Sequence, residues 1–64
     1  MNKDEIIQEF DERITGLSKV IDDIRAGKQD KYYKTQKEKD KATYYQLGFI
    51  EAMRVAKDYL ENYL

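Results

Sequence analysis

The sequence predicts an all-α chain: a two-helix antiparallel hairpin assembled into a dimeric four-helix bundle or a higher oligomer. Three observations carry that expectation. Apolar residues recur at alternating steps of three and four in two separate stretches, which is the period of a helix face and not the alternation of a strand. Proline is absent, and the commonest residues are good helix formers. The chain is also short: its 64 residues make one domain, and a domain of this size buries only about 60% of the surface its unfolded chain exposes. With neither cysteine nor histidine, no disulfide or ordinary zinc site can staple the fold, and oligomerisation is the staple that remains.

The first helix is expected over about residues 3–26. Asn2 and Glu5 have the spacing of a capping box, and Asp4 and Glu5 suit the positive end of the helix dipole. Ile7, Phe10, Ile14, Leu17, Ile21 and Ile24 then alternate three and four apart without a slip, a heptad seam of the coiled-coil kind. Ile6 and Val20 widen that seam, which favours a bundle over a simple pair. The opposite face, Glu5, Glu9, Glu12, Lys19 and Asp23, is polar throughout. Arg25 followed by Ala26-Gly27 supplies a cation in the last turn and a glycine free to turn left-handed.

Residues 27–30 read as the turn, and a second helix is expected over about 31–63. Its first third is nearly bare of apolar residues, which raises a question of register. In a tight hairpin Ile24, Ile21 and Leu17 would face Tyr33, Gln36 and Asp40. Two arrangements avoid this. In one, residues 28–38 form a polar linker and the helix starts near Thr35, whose spacing to Glu38 is again a capping box. Ile24 then pairs with Ala42, Ile21 with Tyr45, Leu17 with Phe49, Ile14 with Ala52 and Phe10 with Ala56. In the other, the helix runs unbroken from residue 31 and another copy covers its C-terminal half. The lack of Gly and Pro over residues 31–43 favours the second.

The stretch from Tyr44 to Leu64 has two apolar rows. Tyr45, Phe49, Ala52, Ala56, Tyr59 and Tyr63 stand at steps of four, three, four, three and four, and Ile50, Met53, Leu60 and Leu64 run beside them. Gly48, Ala52 and Ala56 form a line of small side chains on which another helix can pack. Two apolar faces on so short a chain point to self-association through Ile7, Phe10, Ile14, Leu17, Ile21 and Ile24 on the first helix and Tyr45, Phe49, Ala52, Ala56, Tyr59 and Tyr63 on the second.

Chemistry is sparsely represented. Thr15, Ser18, Thr35 and Thr43 lack the usual activating base, so no catalytic residues and no enzyme are expected. No cofactor or metal ligand set is expected either; Glu5, Glu9 and Glu12 read as a wet helix face. Charge is segregated. Residues 1–24 carry seven acids against three bases, and residues 28–41 carry six lysines against three acids, within a net charge of −1. The basic middle combines Lys31, Lys34, Lys37 and Lys41 with Tyr32, Tyr33 and Tyr44, the charge and ring chemistry that nucleotides and single strands use. A nucleotide or nucleic-acid contact there is the alternative reading, and a purely structural assembly piece a second alternative. The acidic first helix has the wrong sign for anionic lipid. No run of apolar residues is long enough to span a bilayer and the charged N-terminus does not read as a signal peptide, so a cytoplasmic protein is expected.

The stretch YYQLGFIEAMRVAKDYLE, following a Lys/Glu-rich segment in a short chain without Cys, His or Pro, resembles small helical-hairpin proteins of bacteriophages and mobile elements of low-GC Gram-positive bacteria. That resemblance implies a host-cell cytoplasmic protein that binds and inhibits another protein, or one that sequesters a signalling nucleotide. The function expected is therefore a non-enzymatic helical protein that self-associates and acts by binding another macromolecule.

Overall fold

The structure is a computed structural model and describes residues 2–63. Helix α1 spans Lys3–Arg25 and α2 spans Gln36–Tyr63, and no strand occurs among the described residues. The two helices pack side by side as a hairpin, a rod of 43 × 15 × 14 Å. Leu64, assigned above to the second apolar row, lies outside the described residues.

Each helix end is set by local chemistry. The Glu5 amide donates to Asn2 Oδ1 at 2.9 Å, satisfying one of the free donors at the start of α1. At its other end, the Lys28 amide donates to the Asp23 carbonyl at 3.0 Å and the Gly27 amide to the Ile24 carbonyl at 3.2 Å. These are the two bonds of a Schellman ending, and Gly27 takes the required left-handed conformation at φ 80°,. A Cβ at Gly27 would also stand 3.3 Å from an Asp30 carboxylate oxygen.

The unbroken second helix from residue 31 is corrected: α2 begins at Gln36, five residues later. The Tyr32 and Tyr33 amides both donate to the Gln29 carbonyl at 2.9 Å, forming one further turn before the chain extends. Thr35 then caps α2. The Glu38 amide donates to Thr35 Oγ1 at 3.1 Å, and that hydroxyl donates to Glu38 Oε1 at 3.3 Å. Register outweighs local propensity here. Helix propensity supplies only a few tenths of a kcal/mol per residue over residues 31–34, and the later start seats Thr43, Gln46 and Ile50 against the α1 seam, with Ile21, Ile24 and Ile50 buried. The Lys39 ammonium, 2.7 Å from Asp30, ties the connection back to α2.

The core is small. Ile21, Ile24 and Ile50 are its buried apolar residues, with Thr43 as a buried polar neighbour. Ile7, Phe10, Ile14 and Leu17 continue the α1 seam half-buried. The face that α2 turns inward is Lys39, Thr43, Gln46, Ile50, Met53, Lys57 and Leu60, all buried or half-buried. The pairing of Ile21, Leu17 and Ile14 with Tyr45, Phe49 and Ala52 that goes with a helix start near Thr35 is corrected, since those three α2 residues are exposed. Side-chain chemistry explains the choice. An aliphatic row loses more by staying wet than a tyrosine row whose hydroxyls remain hydrated, and lysine stems cover apolar surface while their ammonium groups reach water.

Lys57 joins Asp11 across the two helices at 2.7 Å. The hydrogen bond from Lys57 to Asp11, helped by the charges of Asp11, Glu61 and Asp58, outweighs partial desolvation and raises the Lys57 pKa above 10.5. A raised lysine stabilises the fold at pH values below its unfolded pKa, and that stabilisation is lost as pH rises through the folded value. Asp11→Asn is expected to return the Lys57 titration, followed by NMR of its side chain, to the ordinary lysine range. Thr35→Ala is expected to lower stability by about 1 kcal/mol in urea unfolding, the usual effect of losing an N-cap.

Candidate interaction surface

With its aliphatic row turned inward, α2 presents its other row to solvent. Tyr45 is 67% exposed, Phe49 45%, Tyr59 56% and Tyr63 76%. Tyr45 and Phe49 meet edge to face with ring centroids 5.0 Å apart, and Tyr59 and Tyr63 pair at 5.4 Å. Ala52, exposed, and Ala56, half-buried, lie between the two ring pairs. Gly48 also faces open space, with no atom near the position of a Cβ. Tyr44, Tyr45, Gly48, Phe49 and Ala52 line one shallow groove of about 440 Å³. Val55 is exposed as well, on a flank that also carries Glu51 and Asp58.

The six α1 residues assigned to self-association are held against α2 in the hairpin seam, and the six on α2 form the exposed row. Sequence periodicity identifies both rows; it does not say which of the two on α2 faces inward. The discriminating signal is the aliphatic character of Ile50, Met53 and Leu60 against the aromatic character of the outer row. Met53 and Leu60 were outside the site residues expected above, and both are half-buried.

The hairpin also has a charged side. Ile24 and Arg25 of α1 share a cleft of about 240 Å³ with Lys39, Asp40, Thr43 and Leu47 of α2. Asp11 is on the same flank of α1 as Arg25, about four turns away, and reaches Lys57. The opposite flank of α1 carries Ile6 and Val20, and helix geometry sets it beside the Phe49 and Ala56 edge of α2. One long side of the rod is thus ionic, and the other carries Ile6 and Val20 with Arg13 between them.

The lysine and tyrosine cluster is only partly assembled. Tyr32, Tyr33, Glu38, Lys41, Ala42, Tyr45 and Gln46 line a second groove of about 440 Å³, and the Lys31 ammonium stands 5.8 Å from the Tyr32 ring centroid. Lys34 and Lys37 are exposed and do not line this groove. Tyr44 lines the charged cleft and the Gly48 groove instead. Among the described residues no cluster of metal-ligating side chains occurs and no helix is long and apolar enough to cross a membrane.

With one lysine and one glutamate, the tyrosine groove has no net charge to attract phosphate. A mononucleotide titrated at low ionic strength is expected to leave tyrosine fluorescence unchanged; saturable quenching that weakens with salt would establish a nucleotide site there. No family model, curated protein or solved structure matches this chain.

Proposed function

We propose that this chain is a non-enzymatic helical-hairpin protein that self-associates and acts by binding another macromolecule, as a regulator or inhibitor of the kind its phage-like character implies. The supporting observation is the exposed aromatic row of α2. Four rings on one helix face form an apolar stripe that hydration disfavours, while the hairpin's own core contains three fully packed apolar residues. Surface area supports the same reading. The chain exposes 5095 Å², whereas a compact monomer of its mass exposes about 4,300 Å². The excess is on the scale of the roughly 800 Å² per partner that a stable interface buries.

Association of so small a core with a second copy couples folding to concentration. Light scattering and circular dichroism over a hundredfold dilution are expected to show an oligomer whose melting temperature falls as it is diluted. Phe49→Asp places a charge in the row and is expected to lower mass and helicity together. A monomer whose helicity and melting temperature ignore both dilution and Phe49→Asp would sink the proposal.

A further inference from the structure

The self-association reading leaves open how two copies meet, and charge and shape on the exposed face answer that question. We infer that a second copy docks on the α2 row antiparallel, the two α2 helices crossing at Ala52 and Ala56, with Tyr63 of the second copy beside Tyr45 of the first. This rests on the self-association reading and specifies its geometry.

Shape permits it. The row is nearly palindromic about residue 54: Tyr45 mirrors Tyr63, Phe49 mirrors Tyr59, and Ala52 mirrors Ala56. A two-fold axis there apposes the small residues at the crossing, where backbones approach most closely, and apposes rings on either side. From Tyr45 to Tyr63 no charged residue falls on the row itself, although 39% of the chain is charged; the outer flank, Gly48, Glu51, Val55, Asp58 and Asn62, carries two carboxylates. A whole long side of the rod, 43 Å by 15 Å, is at the lower end of what a stable two-fold contact covers on each partner.

A parallel pairing would also set rings on rings and alanine on alanine, so charge decides. The hairpin is an electrical dipole. Its closed end, residues 28–41, carries six lysines against three acids. Its open end carries five acids against Lys3 over residues 3–12, and Asp58 and Glu61 against Lys57 on α2. Parallel docking would set the two lysine-rich connections side by side, within the Debye length of about 8 Å at physiological salt. Antiparallel docking sends the two lysine-rich connections to opposite ends of the dimer, each next to the acidic end of the other copy. It also explains the tyrosine groove. The Tyr45 ring lines the wall shared by Tyr32 and Tyr33, so Tyr63 of the second copy arrives at that groove and completes it.

The chain has no cysteine, so single cysteines report the pairing directly. In the antiparallel dimer residue 52 stands opposite residue 56 of the second copy, within disulfide reach, while the two copies of residue 52 are about 8 Å apart, beyond it. Ala52→Cys and Ala56→Cys chains, mixed and oxidised under glutathione buffer, are expected to yield the mixed disulfide at least tenfold over either symmetric one by mass spectrometry. Ala52→Cys bridging to itself as efficiently as to Ala56→Cys would overturn the antiparallel pairing while leaving self-association standing. A monomeric wild-type mass by light scattering in the same buffer would remove both.

Discussion

Two helices in contact share a single line, and every other feature of this hairpin follows from that restriction. α1 has one apolar seam and spends it on that line, with Ile21 and Ile24 buried. α2 has two apolar rows and can spend only one. Ile50 is buried with Met53 and Leu60 half-buried beside it, so the Tyr45 to Tyr63 row must face outward. A third helix in the same chain would resolve the surplus. Residues 26–35 are too few and too polar to supply one, and they are used instead to set the register of the two helices that exist.

That register shows where reading the sequence succeeds and where it stops. The heptad seam of α1, its Asn2 cap and its Gly27 ending are local signals, and the structure has all of them within one residue of the expected bounds. The start of α2 is a competition between levels. Local propensity over Lys31–Lys34 favours helix, and the Thr35–Glu38 cap opposes it, but the deciding factor is non-local: where Ile24 finds cover from Thr43 and Leu47, 19 and 23 residues further along the chain. Propensity is a weak prior against such a constraint. The choice between the two α2 rows is likewise non-local. Both have helical period, and only the packing of α1 distinguishes them. The exposed row was legible as an apolar face; that it is the free one was not.

Charge follows the same division between what the hairpin settles and what it leaves over. Lys39 pairs with Asp30 at 2.7 Å and Lys57 with Asp11 at 2.7 Å, and each contact ties two segments that the seam has already brought together. Such surface pairs contribute little to stability, about 0 to 1 kcal/mol each, and their consequence is positional: they hold the connection against α2 and mark the ionic flank. Exposed lysines at the closed end and carboxylates at the open end are what the fold leaves unpaired in bulk. A rod with one exposed aromatic row and opposite charge at its two ends presents both an adhesive surface and a direction along it. In the proposed dimer the aromatic row would supply the free energy of association by burying area, whereas the charged ends would discriminate between orientations of nearly equal apolar fit, because like-charge juxtaposition disfavours one of them. The segregation of charge along this short chain would therefore have its physical consequence in the proposed assembly, since the fold of a single hairpin does not require it.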